Sequence, residues 1–178
     1  VTRSEPGIIY RSLDRGAHGI VVPHVQTREE VERVVDSAKF APIGNRGVAG
    51  SRLGFGDPDF YFKANDASIV IVMIEGVIGI ENLDEILNVD HVDVFFIPPG
   101  DLAQSLGHHG NPGHPEVQQV IDQTLARIIA AGRTAGAMVT TDTVGKYIEA
   151  GVRFFFTSFK DWIDAGARNY LEAVADAK

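Results

Sequence analysis

The chain has 178 residues, a size that suits one domain with a sizeable core; 44% of them are hydrophobic and 22% are charged. A net charge of -8 without any basic run argues against a nucleic-acid partner, and the lack of cysteine excludes disulfides, thiolate zinc sites and cysteine nucleophiles. Because no segment approaches the roughly 18 apolar residues of a membrane span, we expect a cytoplasmic protein.

Apolar periodicity predicts that helices and strands alternate from the first residues onward. Val1 to Arg3 are predicted to be the last residues of a strand, and residues 5–15 have the spacing of a helix. Residues 18–23 are predicted to form the next buried strand. Thr27 and Glu30 then have the spacing of a capping box, which opens a helix.

The middle of the chain continues this alternation after one long interruption. Residues 40–66 are rich in glycine, proline and aromatic side chains and are predicted to be a long loop with a functional, oligomeric or mobile role. Strands are predicted over residues 67–75 and 92–97, with a helix around Leu83 between them. A further loop leads to a helix that begins at Pro115.

The last part of the chain adds two predicted strands, over residues 134–140 and 153–158, and a C-terminal helix over 161–177. Five strands and a stub that alternate with helices predict a parallel α/β fold. A complete eightfold barrel has about 250 residues. We therefore interpret residues 1–178 as a single partial (β/α)8 TIM barrel without its first two βα units; a smaller open sheet is the alternative.

Each of two apolar runs is followed by one carboxylate at the end of a predicted strand. ASIVIVMIE ends at Glu75, and VDVFFIPPGDL contains Asp101. Runs without polar alternation are typical of strands covered on both faces, and barrels have their active sites at the carboxyl ends of such strands. The two acids could bind Mg²⁺ or Mn²⁺, merely cap helices, or serve as the acid and nucleophile of a glycosidase.

Backbone and arginine groups near these strand ends could bind an anion. The turn before Asp101 allows the N–H groups of Gly100 and Asp101 to face a substrate carboxylate. Arg3 could neutralise an oxyanion or enolate, or be an ordinary surface arginine. Arg46 is a minor candidate for the site; a salt bridge that braces the loop or a subunit contact explains it at least as well.

Histidines offer two further candidates. His24 directly follows a predicted strand and could be a base, although a loop histidine with a structural role fits the sequence too. His108, His109 and His114 lie close together in the loop after Asp101, where they could form a metal cluster or remain solvated.

A set of ordered motifs gives the chain a family resemblance that extends essentially from end to end. The motifs are GAHGIVVPHVQ at 16–26, PIGNRGV at 42–48, VMIE at 72–75, PPGDL at 98–102 and GNPGHPEV at 110–117. With them the chain resembles the metal-dependent class II pyruvate aldolases, that is, the hydroxy-oxo-heptanedioate aldolase family, which includes keto-deoxy-glucarate aldolase and macrophomate synthase.

The resemblance implies a TIM barrel in which Glu75 and Asp101 bind Mg²⁺, Mn²⁺ or a similar ion such as Co²⁺ or Zn²⁺, which chelates pyruvate. It implies that Arg3 stabilises the enolate and that the amides of Gly100 and Asp101 hold the pyruvate carboxylate. It also implies a homohexamer built from dimers that exchange their C-terminal helices. The expected activity is cleavage or formation of a C–C bond between pyruvate and an aldehyde, in 4-hydroxy-2-oxo acids.

The chain departs from the family pattern at several positions. Met73 and Pro98 replace a usual glutamine and a usual glycine, and Gly76 and Ile78 replace residues that are commonly polar. The family's general-base histidine lies before the segment that corresponds to Val1, so the resemblance assigns that role to no residue here. A non-catalytic barrel that binds a keto acid, or only assembles, is therefore the second hypothesis.

Overall fold

A computed structural model describes residues 1–48 and 50–177 of the chain. Its strands form one sheet in which each strand pairs in parallel with the next one in sequence. The strands are β1 (Gly19–Val22), β2 (Ile69–Met73), β3 (Val94–Ile97), β4 (Ala135–Met138) and β5 (Phe154–Phe156). This sequential order is that of a barrel, because doubly wound sheets reverse their strand order. The predicted parallel α/β fold is therefore confirmed as a half-barrel.

Helices precede, connect and follow these strands. They are α1 (Pro6–Asp14), α2 (Arg28–Ala38), α3 (Phe60–Ala67), α4 (Val77–Glu81), α5 (Leu83–Leu87), α6 (Pro99–Ser105), α7 (Pro115–Ala130), α8 (Val144–Glu149) and α9 (Phe159–Asp176). The capping box at the start of α2 is confirmed, since the Thr27 hydroxyl accepts the Glu30 N–H while the Glu30 carboxylate accepts the Thr27 N–H. Within the described residues, no helix has both the length and the apolar character to cross a bilayer.

Both faces of the sheet carry apolar side chains, as the uninterrupted apolar runs predict. One face packs against the helices and contributes Val22, Val72 and Phe95 to the main core. The opposite face carries a smaller cluster that includes Ile71 and Phe96. Apolar side chains therefore occupy both faces of the sheet. The polar groups that could bind a ligand or take part in a reaction lie in the segments beyond the strand ends.

Two segments that were predicted as loops contain helices. Residues 40–66 are not one continuous loop, because they contain a 3₁₀ helix (Arg52–Gly54) and most of α3. The helix α3 buries only Phe60 and Ala64, which is too short a pattern to show helical periodicity. Residues 99–105, predicted as a turn and loop, form α6, with Pro99 in its first turn.

The first residues form no regular strand, although they lie where a preceding strand would. The N-terminal nitrogen of Val1 donates to the carbonyl of Val21, 2.9 Å away. Because β2 occupies the other side of β1, this bond places Val1 at the free edge of the sheet. Residues 1–3 are therefore not the strand that the sequence predicts, although the hydrogen bond of Val1 holds them beside β1.

Arg46 fastens the segment after α2 to the helix α1. Its guanidinium donates to Asp14 Oδ1 at 2.7 Å and lies over the ring of Phe40, 4.5 Å from the ring centre. The side chain is 3% exposed. These contacts support the bracing role of Arg46, one of the alternatives that its sequence context left open.

Replacement of Arg46 by alanine is expected to lower the free energy of unfolding by about 3–5 kcal/mol, because it leaves the Asp14 carboxylate without its buried partner. Urea denaturation measures this loss. The control is Arg28→Ala, which removes an exposed partner of Glu32 and should cost less than about 1 kcal/mol. Equal losses from the two variants would contradict the bracing role.

Candidate metal centre

The two predicted acids lie at the same edge of the sheet. Glu75 follows β2 by two residues, and Asp101 lies in the first turn of α6, directly after β3. One carboxylate oxygen from each residue, together with one ring nitrogen of His24, lies within 4.8 Å of the others. Opposite ligands of a six-coordinate ion are about 4.2 Å apart when its bonds are about 2.1 Å long. The three side chains are therefore close enough to converge on one divalent ion.

Glu75 is the buried member of this group. Its side chain is 3% exposed, and its Oε1 accepts the backbone N–H of His24 at 2.8 Å. Burial raises the pKa of Glu75; the His24 N–H and ring oppose this shift, while the neighbouring Asp101 adds to it. A bound cation would compensate this buried negative charge, because a buried carboxylate is stabilised when it is paired with a cation or coordinates a metal ion.

Asp101 is held at the entrance of the site by the start of α6. Its side chain is 55% exposed, so part of it faces solvent. The first amides of a helix have no acceptor within the helix, and Gly100 adds no side chain to cover them, since open space surrounds the position of its missing Cβ. The carboxylate of Asp101 and the amides of Gly100 and Asp101 are therefore together at one solvent-facing helix end.

His24, which the sequence marks only as a possible base, joins the two acids. It lies two residues beyond β1 with a positive φ of 56°. Its Nδ1 is 3.1 Å from Glu75 Oε1, and its Nε2 is 3.9 Å from Asp101 Oδ2. The available signal was its position directly after a strand end, because three consecutive parallel strands bring their carboxyl ends to one edge.

Hydrogen bonds between the loops fix the arrangement of this edge. The Ser105 hydroxyl at the end of α6 accepts the N–H of Val77, which follows Glu75. Farther along, the side chain of Asn82 donates to the carbonyl of Gln26, which follows His24. The loops after β1, β2 and β3 are thus joined to one another, which keeps the three potential ligands in place.

The remaining predicted residues lie elsewhere or have other partners. Arg3 is exposed and lies 3.5 Å from Glu5, and within the described residues no hydrogen bond or ion pair joins it to Glu75 or Asp101. His108 and His114 do come together, with stacked rings 3.6 Å apart, next to Glu116. His114 Nδ1 accepts the Glu116 N–H and so caps α7, which gives this cluster a structural explanation.

Comparison with known proteins shows the family to which the chain belongs. Residues 1–160 match the family model described as HpcH/HpaI aldolase/citrate lyase. The chain belongs to this family. Among curated relatives, the 5-keto-4-deoxy-D-glucarate aldolase of Salmonella paratyphi C (strain RKS4594) is 40% identical over 158 residues, which are 86% of this chain and 62% of that protein. The chain thus spans less than two thirds of the length of this relative.

Solved structures support the same fold. An HpcH/HpaI aldolase/citrate lyase family protein from Burkholderia cenocepacia J2315 superimposes with a TM-score of 0.89 at 31% identity, over 97% of this chain and 71% of that one. Macrophomate synthase superimposes with a TM-score of 0.78 at 27% identity, over 97% and 64% of the two chains. The family consists of lyases, so the glycosidase alternative loses its support.

The raised pKa of Glu75 predicts a pH-dependent cost in the metal-free protein. A carboxyl group whose pKa is higher in the folded than in the unfolded protein destabilises the folded state at high pH. The protein therefore loses stability as the pH rises from 4.5, the ordinary pKa of a glutamate, through the raised pKa. With EDTA present, Glu75→Gln should therefore increase the free energy of unfolding at pH 7 but not below pH 4.5. Urea denaturation across this pH range tests the expectation.

The matched control for this test is Glu81→Gln, which neutralises an exposed glutamate in the neighbouring helix α4. It should leave the stability close to that of the unchanged protein across the range. If Glu75→Gln instead destabilises the metal-free protein at pH 7, the ionised carboxylate of Glu75 does not lower the stability of the fold as its burial predicts.

Proposed function

We propose that this protein is a divalent-metal-dependent aldolase that forms or cleaves a C–C bond between pyruvate and an aldehyde and acts on 4-hydroxy-2-oxo acids. The observation that carries the proposal is the convergence of Glu75 and Asp101 at one sheet edge, within a chain that belongs to an aldolase/citrate lyase family. The name of the 40% identical relative, a keto-deoxy-glucarate aldolase, favours substrates of this class. We further propose that the half-barrel is part of an eightfold barrel.

The donor set at this edge fits a divalent ion. Glu75 and Asp101 supply hard oxygen ligands of the kind that Mg²⁺ and Mn²⁺ prefer, and the exposed side of Asp101 leaves room for a small substrate. When bound, such an ion supplies Lewis acidity, which withdraws electron density from a 2-oxo acid. The burial of Glu75 favours binding of a cation, because an unpaired carboxylate at this position is poorly solvated.

The other residues of the proposed site bind and orient the substrate. The amides of Gly100 and Asp101, at the start of α6, would donate to the substrate carboxylate. Arg3 follows Val1, which lies beside β1, and would neutralise negative charge that develops on the substrate oxygen. The role of Arg3 needs its side chain to turn from Glu5, beside which it lies, toward the sheet edge.

The first test of this function compares pyruvate release from a 4-hydroxy-2-oxo acid by the full-length protein with and without EDTA. Chelation should abolish turnover, and Mg²⁺ or Mn²⁺ should restore it. Glu75→Gln should lower turnover by at least about a hundredfold even with excess metal, since it removes a charged ligand. Glu81→Gln serves again as the control and should retain the activity of the unchanged protein.

Two results would contradict the proposal in different ways. Turnover that is indifferent to EDTA would reject the metal mechanism. Oxalate is a planar mimic of the pyruvate enolate. If calorimetry shows tight binding of Mg²⁺ together with oxalate but the protein has no turnover, the non-catalytic barrel is favoured instead.

We also propose that α9 mediates assembly into a homohexamer by exchange between protomers. Apolar residues recur along it at spacings of three and four, and none of its residues is buried. The exposed members are Phe159, Trp162, Ile163, Tyr170, Leu171 and Val174. An amphipathic helix of this length obtains its stability from packing, and a second copy of this chain would supply the apolar partner surface.

The double substitution Trp162→Ala with Leu171→Ala should weaken assembly by about 2 kcal/mol or more, because large buried aromatic residues dominate such interfaces. Light scattering coupled to size-exclusion chromatography would then show smaller species at micromolar concentration. Glu172→Ala, next to Leu171 on the polar side of α9, is the control and should leave the mass unchanged. An unchanged mass for the double variant would reject the role of α9.

A further inference from the structure

The ring of His24 lies between the two acids of the proposed metal centre. Nδ1 faces Glu75 and Nε2 faces Asp101, at 3.1 Å and 3.9 Å from the nearest carboxylate oxygens. The ring is 63% exposed, so packing against apolar side chains does not hold it there. Its backbone N–H already donates to Glu75, which ties the residue to that carboxylate independently of the ring.

The backbone of His24 aims this ring at the acids. A positive φ is unfavourable for a residue with a Cβ and tends to persist where the surroundings hold it, often at functional sites. The N–H bond from His24 to Glu75 and the bond from Val25 N–H to the Met73 carbonyl hold the segment in this conformation. The chain thus keeps an imidazole at the metal edge despite the conformational cost.

We propose that His24 is a third protein ligand of the divalent ion and that it shifts the preference of the site from Mg²⁺ towards Mn²⁺, Co²⁺ and Zn²⁺. This inference rests on the proposed function, because it concerns the same ion. Mg²⁺ prefers oxygen ligands and retains water, whereas the transition ions bind imidazole nitrogen well. One nitrogen and two carboxylates therefore form a different donor set from two carboxylates alone.

The structure also identifies a matched control for the test. His91, in the turn before β3, has a positive φ of 62° like that of His24. It is not a member of either potential ligand group found among the described residues. Because glycine accepts positive φ without strain, His24→Gly and His91→Gly each remove one ring while preserving the backbone.

Isothermal titration calorimetry with Mg²⁺, Mn²⁺, Co²⁺ and Zn²⁺ on the full-length protein measures the preference directly, without reference to turnover. His24→Gly should lower the affinity for Co²⁺ and Zn²⁺ on the order of tenfold to a hundredfold, with little effect on Mg²⁺. The visible spectrum of bound Co²⁺ should change in the same variant, because a nitrogen ligand is lost. His91→Gly should match the unchanged protein in both measurements.

Glu75→Gln separates this inference from the proposed function, and any binding that remains in this variant measures ions held elsewhere, such as at His108 and His114. If Glu75→Gln abolishes binding while His24→Gly leaves the order of ion affinities and the Co²⁺ spectrum unchanged, His24 is not a ligand and the two-acid site stands. An equal loss for all four ions in His24→Gly would show that the ring only positions Glu75, which also overturns the inference. If Glu75→Gln has no effect on binding, the metal centre itself is wrong.

Discussion

The hydrogen bond from the His24 backbone to the buried carboxylate of Glu75 is the contact on which this site depends. It joins the loop after β1 to the loop after β2 at 2.8 Å, and it provides a donor to a side chain that has little access to water. A buried carboxylate without donors or a cation would be expensive to maintain. The loop after β1 provides the donor from its backbone. The carboxylate still lacks a compensating positive charge, which makes the position suitable for a metal ion.

The site also depends on the parallel order of the strands. Because β1, β2 and β3 are neighbours and run in one direction, the segments that follow them meet at a single edge. The hydrogen bonds of Ser105 and Asn82 then fix the spacing between those segments. Chemistry at this edge is thus separated from the structural contacts at the opposite end, where Arg46 and Asp14 join the segment after α2 to α1.

Much of this architecture could be predicted from the sequence, because uninterrupted apolar runs, the capping box of α2 and the proline that begins α7 are local signals. The acids Glu75 and Asp101 followed from the same runs. The helix α3 escaped prediction because its buried face has only two residues, Phe60 and Ala64. The position of His24 after a strand end was a signal in the sequence, but its contact with Glu75 could not be predicted, since it spans 51 positions and depends on a turn with positive φ. Family resemblance supplied the role of Arg3, which stays a prediction.

The helix α9 has a consequence for how the protein folds. It runs for 18 residues and buries none of them within its own protomer, so intrinsic helix propensity is its main internal support. A helix of that kind is marginal in water when it stands alone. If another copy covers it, the ordering of the C-terminal residues and the association of subunits become one equilibrium, and the amount of regular structure in the chain depends on protein concentration.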